Sequence, residues 1–336
     1  MNGISTVQYD ELMLHPKYET IIGPVTFKPG TPNECISTTI STSMDGPSDA
    51  FEGTFRGDGK SLSVKKVDPV KISLGYEDGI SEVFQGKVAN VTLNTFGISI
   101  TAYDSIFTLC NIRKDKFYEQ RTAGQIVKDI ATMGSIQVQD AEDGIKFPYY
   151  TIDSNKNAYE HLKDLSRICG FDIYCNNSDK LVFKKYKPET KHALDYGKNI
   201  IRISKSDIVN AYEGVTVIGE SPASVGGPET SHWIKKESMR SFAGNQDKAL
   251  YISNRVIRDE QTAKRIAEDK LDAIKFQATI IVELVGDPKI NLGDAVIVGG
   301  VPSEKVNGEY QVRSVEHHFS KKEGFLTTVK CKGESQ

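Results

Sequence analysis

The sequence lacks any run of about 18 apolar residues, so no membrane-spanning helix is read from it. Its first residues, MNGISTVQYDELMLHPKYE, lack a basic segment followed by an apolar core. No signal peptide is therefore read, and synthesis in a cytoplasm is expected. Excess positive charge is missing too: 42 Lys and Arg stand against 45 Asp and Glu, for a net charge of −3. Nucleic-acid recognition usually leaves a basic footprint, so specific binding of DNA or RNA is not expected, although DNA could pass untouched through a wide channel. Cysteine is scarce, with five residues (Cys35, Cys110, Cys169, Cys175 and Cys331). An odd, scattered set fits reduced, buried thiols better than a disulfide framework. Tryptophan is nearly absent, with Trp233 alone, and no short-period repeat is visible.

What is present is ordinary for a soluble globular protein: 336 residues, 38% hydrophobic and 26% charged. That length predicts two or three domains. The first third has a β texture. ECISTTIST (Glu34 to Thr42), VKISLGYE (Val70 to Glu77), SEVFQGKVANVTLNT (Ser81 to Thr95) and GISITAYD (Gly97 to Asp104) are short and rich in Val, Ile, Thr and Tyr. Turn residues separate them, with Glu77-Asp78-Gly79 the strongest hairpin signal.

The texture changes near Lys114. Thr122 and Gln125 have the spacing of a capping box, and Ile126, Val127, Ile130 and Met133 then fall on one helical face, ending at Gly134. Asn157 and Glu160 open a second helix in the same way. Its apolar stripe is Ala158, Leu162, Leu165 and Ile168, and Gly170 sits where a C-terminal glycine cap belongs. FDIYC and KLVFKKY read as a hairpin joined by NNSDK. After Asn199 the β texture returns, interrupted by a polar, Gly-rich stretch from Pro222 to Ser231 that is expected to be mobile. One clear amphipathic helix runs from Asp259 to Phe276, with Ala263, Ile266, Ala267, Lys270, Leu271 and Ile274 tracing one face and charges opposite. ATIIVELVG, AVIVGG, EYQVRSVEHHF and FLTTVKCKG follow as strands.

The candidates for chemistry are few. His317 and His318 are adjacent, but successive strand side chains point to opposite faces, so the two do not converge on one metal. One is expected to face the interior and the other solvent. GTFRGDGKS (Gly53 to Ser61) approaches a phosphate loop, but Thr54 stands where the motif requires its first glycine. Arg56-Gly57-Asp58 within it is an adhesion-type tripeptide of a kind common by chance. Cys169 and Cys175 are too widely spaced for structural zinc and lack a second pair. Gln139 to Gly144 is acidic without the distal Glu of a calcium loop. No nucleophile elbow, zinc-protease motif or dinucleotide loop occurs. The reading assigns no catalytic, cofactor-binding or metal residue, no cofactor and no enzymatic activity.

At the C-terminal strands the sequence resembles a known family. GDPKINLGDAVIVGG and NGEYQVRSVEHHFSKKEGFLTT look like the closing segment of the late control D proteins of contractile phage tails, and of the hub half of type VI secretion spike proteins. Gly286, Pro288, Ile290, Gly293, Val296, Val298, Gly308, Tyr310, Val312, Val315, His317, Gly324 and Thr328 occupy the family's places. DGPSDAFEGTF, LGYEDGISEVFQGKV, TAGQIVKDIAT and NAYEHLKDLSRICGFDIYCNNSDKLVFKKY resemble earlier parts in the same order.

The resemblance implies a mainly β fold with an α+β insert: two tube-type antiparallel β-barrel domains flanking a small α/β module. The expected boundaries are 1–113 for the first barrel, 114–188 for the inserted module and 189–336 for the second barrel, which carries helix 259–276. It further implies a homotrimeric hub that joins a sixfold tail tube above to a threefold spike below. Other baseplate proteins would be neighbours, and DNA or effector cargo would pass through without specific binding. No needle repeat follows the last strand before Gln336, so the spike is expected to be a separate protein. Two other readings are a tail-associated cell-wall hydrolase and a carbohydrate-binding tip protein. The first would draw on Asp129, Asp153, Glu160, His161 and Asp164; the second needs exposed aromatics, of which Trp233 is thin support.

Overall fold

The computed structural model describes residues 14–56, 63–95, 97–207, 211–219, 239–254, 256–257 and 259–334. The stretch 222–231, His232 and Trp233 lie outside the described residues, as do Gly57 and Asp58 of the adhesion-type tripeptide.

The described residues open with seven strands: β1 (Lys17–Ile22), β2 (Val25–Phe27), β3 (Glu34–Ser43), β4 (Ala50–Arg56), β5 (Pro69–Tyr76), β6 (Gly79–Asn94) and β7 (Gly97–Tyr103). They pair in the order β3-β4-β7-β6-β5-β1-β2. Alternation sends one face inward, where Phe27, Phe51, Phe55 and Phe84 are fully buried. Each such burial contributes about 1.5–3 kcal/mol. The turn expected at Glu77-Asp78-Gly79 is present, with Tyr76 facing Gly79 across the β5–β6 hairpin. A Cβ on Gly75 would lie 2.1 Å from the Gly79 carbonyl oxygen, so only glycine fits that corner.

The middle of the chain contains α1 (Ile106–Leu109), β8 (Lys116–Thr122), α2 (Ala123–Met133), β9 (Val138–Ala141), β10 (Lys146–Ile152), α3 (Ala158–Cys169), β11 (Asp172–Cys175) and β12 (Leu181–Lys184). Both expected capping boxes form, Thr122 with Gln125 and Asn157 with Glu160. Gly170 ends α3 at φ +66°, the left-handed conformation that glycine adopts without penalty. The β11–β12 hairpin closes as expected, with the Asn176 N–H donating to the Lys180 carbonyl at 2.9 Å.

The last part contains β13 (Lys191–Asp195), β14 (Ile200–Ser206), β15 (Gly214–Ile218), β16 (Arg240–Gly244), β17 (Ala249–Ser253), α4 (Glu260–Lys275), β18 (Ala278–Val285), β19 (Ala295–Gly299), β20 (Gly308–Ser320) and β21 (Gly324–Gly333). Strands β13, β14 and β18 to β21 surround a second apolar core that includes Ile280, Val282, Val296, Val312 and Val329. β13 runs parallel to β19, an exception in an otherwise antiparallel array: it enters directly from the insert and not through a hairpin.

Two arrangements differ from the sequence boundaries. Residues 214–218 and 240–253 form a separate three-stranded sheet, β16-β15-β17, and α4 packs on it. Val215, Val217, Ala263, Ile266 and Ala267 join one core with Ile126, Leu162 and Leu165 of the insert. The helix assigned to the second barrel therefore packs on this small sheet, and the two share a core with the α/β module. The two barrels are also not independent. β20 pairs with β19 through Gly308–Gln311 and with β3 through Ser314–Ser320, so one sheet runs through both.

Candidate functional site: the junction of the barrels and the insert

The alternation of β20 changes phase at its centre. Tyr310 and Val312 are buried before the break; Val315, His317 and Phe319 are buried after it. The register slips between Val312 and Ser314, which marks a bulge at Arg313. A bulge re-aims one side chain, and here it turns Arg313 toward the insert and the first barrel. Its Nη1 donates to Asp172 at the start of β11, and its Nη2 donates to Asp45 in the β3–β4 loop at 2.8 Å. Gln311 Nε2 reaches the other Asp172 oxygen at 2.6 Å. The Arg313 carbonyl accepts from the Met44 N–H, and Lys163 of α3 donates to the Met44 carbonyl at 2.9 Å. Burial opposes the Arg313 charge, but the Asp172 and Asp45 carboxylates outweigh it and hold the guanidinium above its ordinary range. One side chain thus ties together both barrels and the insert.

A second contact lies beside it. Asp49 precedes β4, Asp104 follows β7, and Asp179 sits in the β11–β12 turn with φ +56°. Asp49 Oδ1 accepts from the Ser43 N–H at 2.8 Å, and Asp104 Oδ1 accepts from Ser48 Oγ at 2.8 Å. Asp179 takes two bonds from Ser105, from its N–H at 2.7 Å and its hydroxyl at 2.5 Å. Asp104 Oδ2 is buried with no partner among the described residues. Burial pushes Asp104 up to about 7 and, reinforced by Asp104, pushes Asp49 well above the carboxylate range. Burial and the neighbouring carboxylates thus favour the protonated form of both acids.

The sequence candidates fall elsewhere. His317 faces inward and His318 outward, as alternation requires. His317 Nδ1 lies 3.0 Å from Thr327 Oγ1, and burial pushes the imidazole down to about 3, so it is neutral. His318 Nδ1 lies 3.0 Å from Thr39 Oγ1. Asp129 pairs with Lys116 at 2.6 Å and Tyr118 at 2.7 Å. Burial is opposed there by these two partners, which hold the carboxyl low, the reverse of what a general acid needs. Glu160 is used in its capping box, with Oε2 2.7 Å from the Asn157 nitrogen. Asp153, His161 and Asp164 line one cleft with Tyr149, while Asp129 lines another. Asp164 is taken by Lys156, and His161 Nε2 lies 3.0 Å from the Asp153 carbonyl. Cys169 and Cys175 are buried, and burial raises both thiols, Cys169 to about 11. Among the described residues no group of three or more His, Cys, Asp or Glu is placed to hold a metal. Asp140 and Asp143 of the acidic stretch lie near Lys184 and Thr122. Gly53 to Arg56 are strand residues of β4.

Comparison with known proteins agrees with this architecture. A family model described as YQBQ-like matches residues 38–168. The baseplate hub protein gp44 of Escherichia phage Mu is 25% identical over 158 residues. That match covers 45% of this chain and 41% of gp44, less than half of either protein. In fold, the 43 kDa tail protein of prophage MuSo2 from Shewanella oneidensis is similar at a TM-score of 0.68 and 15% identity, over 94% of this chain and 98% of that one. A tail protein from Neisseria meningitidis MC58 gives 0.69 and 12%, over 95% and 96%. The Escherichia coli c3393 protein, a type VI secretion component with structural similarity to the T4 tail proteins gp27 and gp5, gives 0.62 and 10%, over 94% and 77%. The resemblance read from the C-terminal strands is borne out to this extent: the chain is similar in sequence to the Mu baseplate hub protein gp44 over 158 residues, and in fold to phage tail proteins over nearly its whole length.

Proposed function

We propose that this chain is a structural baseplate hub of a contractile tail or contractile injection system. It acts as a homotrimer that joins a sixfold tail tube to a threefold spike and lines the central channel. The observation that carries this reading is the presence of two barrels, each with its own core, on one continuous sheet in each chain. Three copies then present six barrels to the tube while keeping threefold symmetry toward the spike. The sheet ends at β2 and β14 and, on its branch, at β13, whose outer edges offer unpaired backbone groups to neighbouring copies. A permanent ring of this kind would bury on the order of 2,000 Å² or more per contact.

On this reading the partners are a tube protein above, a separate spike or needle protein below and other baseplate proteins around the ring. DNA or effector cargo slides through without specific binding. The chain acts by shape and not by turnover. The hydrolase alternative gains no support, since Glu160 is used in a cap, Asp129 and Asp164 in ion pairs, and Asp153 accepts from the Asn155 N–H. Light scattering coupled to gel filtration tests the assembly: a trimer is expected, alone or on addition of the spike. A monomer that persists with excess spike and tube protein would contradict it.

A further inference from the structure

Independently of the hub reading, one cleft is supplied with more positive charge than its own acids neutralise. It has a volume of about 800 Å³ and lies between α3, α4 and β20. Lys163 and Arg167 reach it from α3, Lys270 from α4 and Arg313 from β20. Five acids line the cleft against seven cations; Asp45, Asp172 and Asp269 are engaged, while Asp272 and Glu334 have no side-chain partner among the described residues. Asp45 and Asp172 hold Arg313. Asp269 holds Lys185 at 2.9 Å and Arg265 at 3.8 Å. Arg167 reaches only Asp164, at 3.5 Å, and Asp164 already holds Lys156 at 2.5 Å. Lys163 donates to a backbone carbonyl, that of Met44. Lys270 has neither a hydrogen bond nor an ion pair among the described residues.

This arrangement is unfavourable in the empty protein. Lys163 and Arg167 stand one helical turn apart, a spacing at which like charges repel. Lys163 and Lys270 are partly buried as well. Burial, followed by the nearby Arg313 for Lys163 and Arg167 for Lys270, pulls both ammonium groups below the ordinary lysine range. Arg313 Nε adds a buried donor with no acceptor. A long cation normally keeps its head in water or beside a carboxylate. Here Lys163 and Lys270 line a cleft whose nearby carboxylates, Asp45 and Asp172 for Lys163 and Asp269 for Lys270, do not offset the cost of burial.

We propose that this cleft binds a phosphate monoester or pyrophosphate group, with Lys163, Arg167 and Lys270 as its ligands. Charge selects the class. Seven cations against five acids leave a surplus of two positive charges along the cleft, which an oxyanion carrying two charges balances, whereas a phosphodiester or a single carboxylate carries one. Arg167 supplies the planar fork that suits phosphate oxygens, and the two lysines act as point charges. The volume leaves room for a ligand body larger than the oxyanion itself.

The test is calorimetric titration of pyrophosphate into the full chain at constant ionic strength, with Lys270→Gln and Lys270→Arg variants beside it. Saturable one-to-one binding is expected, weakened about tenfold or more by Lys270→Gln and restored to within about threefold by Lys270→Arg. Without ligand, Lys270→Gln should melt at the same temperature as the parent or higher, because it removes a repelled, partly buried charge. Absence of saturable binding, or equal affinity in Lys270→Gln, overturns the proposal. Hexaglutamate or a short single-stranded oligonucleotide binding more tightly than pyrophosphate overturns it also, by reassigning the cleft to an acidic segment or to a nucleic-acid backbone.

Discussion

Arg313 holds together three parts of the chain that are far apart in sequence. It sits 268 residues from Asp45 and 141 from Asp172. Removing one member of a buried ion pair strands its partners, so Arg313→Ala should cost about 3–5 kcal/mol, measured by urea unfolding. A loss under about 1 kcal/mol would mean the junction is solvated. Asp104 gives a pH signature. Its folded value of about 7 lies above its ordinary 3.8, so between those limits the folded chain keeps a proton that the unfolded chain has released. Stability from this group is therefore complete below about pH 4, falls as pH rises toward 7 and levels off above it. Asp104→Asn should flatten that slope and raise the melting temperature at pH 8; a parent chain that grows more stable from pH 4.5 to 8 contradicts this. Part of the residue scale was legible from sequence. Strand alternation separated His317 from His318, and the structure keeps them on opposite faces. The phase change between Val312 and Val315 was also written in EYQVRSVEHHF, and it marks Arg313 as the bulged residue. Asp49, Asp104 and Asp179 gave no such signal, because each sits at a strand end or turn where an exposed Asp is commonplace.

At the scale of elements, local rules carried most of the reading. The capping boxes at Thr122 and Asn157 and the hairpin turns at Asp78 and Lys180 depend on residues within a few positions of one another, and they form as expected. Asn157→Ala removes the side chain that accepts from the Glu160 N–H and should cost about 1 kcal/mol, seen as a drop in melting temperature. A cost near zero would show that α3 is held by packing alone. Pairings between distant strands were not legible. β3 and β20 meet in register, Ile40 opposite His317, although about 277 residues separate them, and nothing local in either strand names the other. The same limit applies to α4. Its periodicity fixed a helix and an apolar face, but not that Ala263, Ile266 and Ala267 would face Val215 and the insert core. Sequence order suggested the second barrel; the helix packs instead on the small β16-β15-β17 sheet, which shares a core with the α/β module.

For the whole molecule, the ordered set of family-like segments indicated the fold class before any pairing was known. What it left open was how the barrels are joined, since β20 serves both and Arg313 sits where it changes partner. That construction joins the two barrels through one strand, which on the proposed hub reading suits a part that must keep its shape while a tail contracts. A substitution that unlocks the junction, such as Arg313→Ala, should therefore lower ring assembly in proportion to its loss of stability, as read from the trimer fraction in sedimentation. The most direct measurement is electron cryo-microscopy of the chain assembled with its spike and tube proteins. The account predicts three copies of this 37.2 kDa chain around the tail axis, with six barrels forming a closed ring beneath the tube. A single copy off the axis, or a ring in which the two barrels of one chain do not take adjacent places, would contradict it.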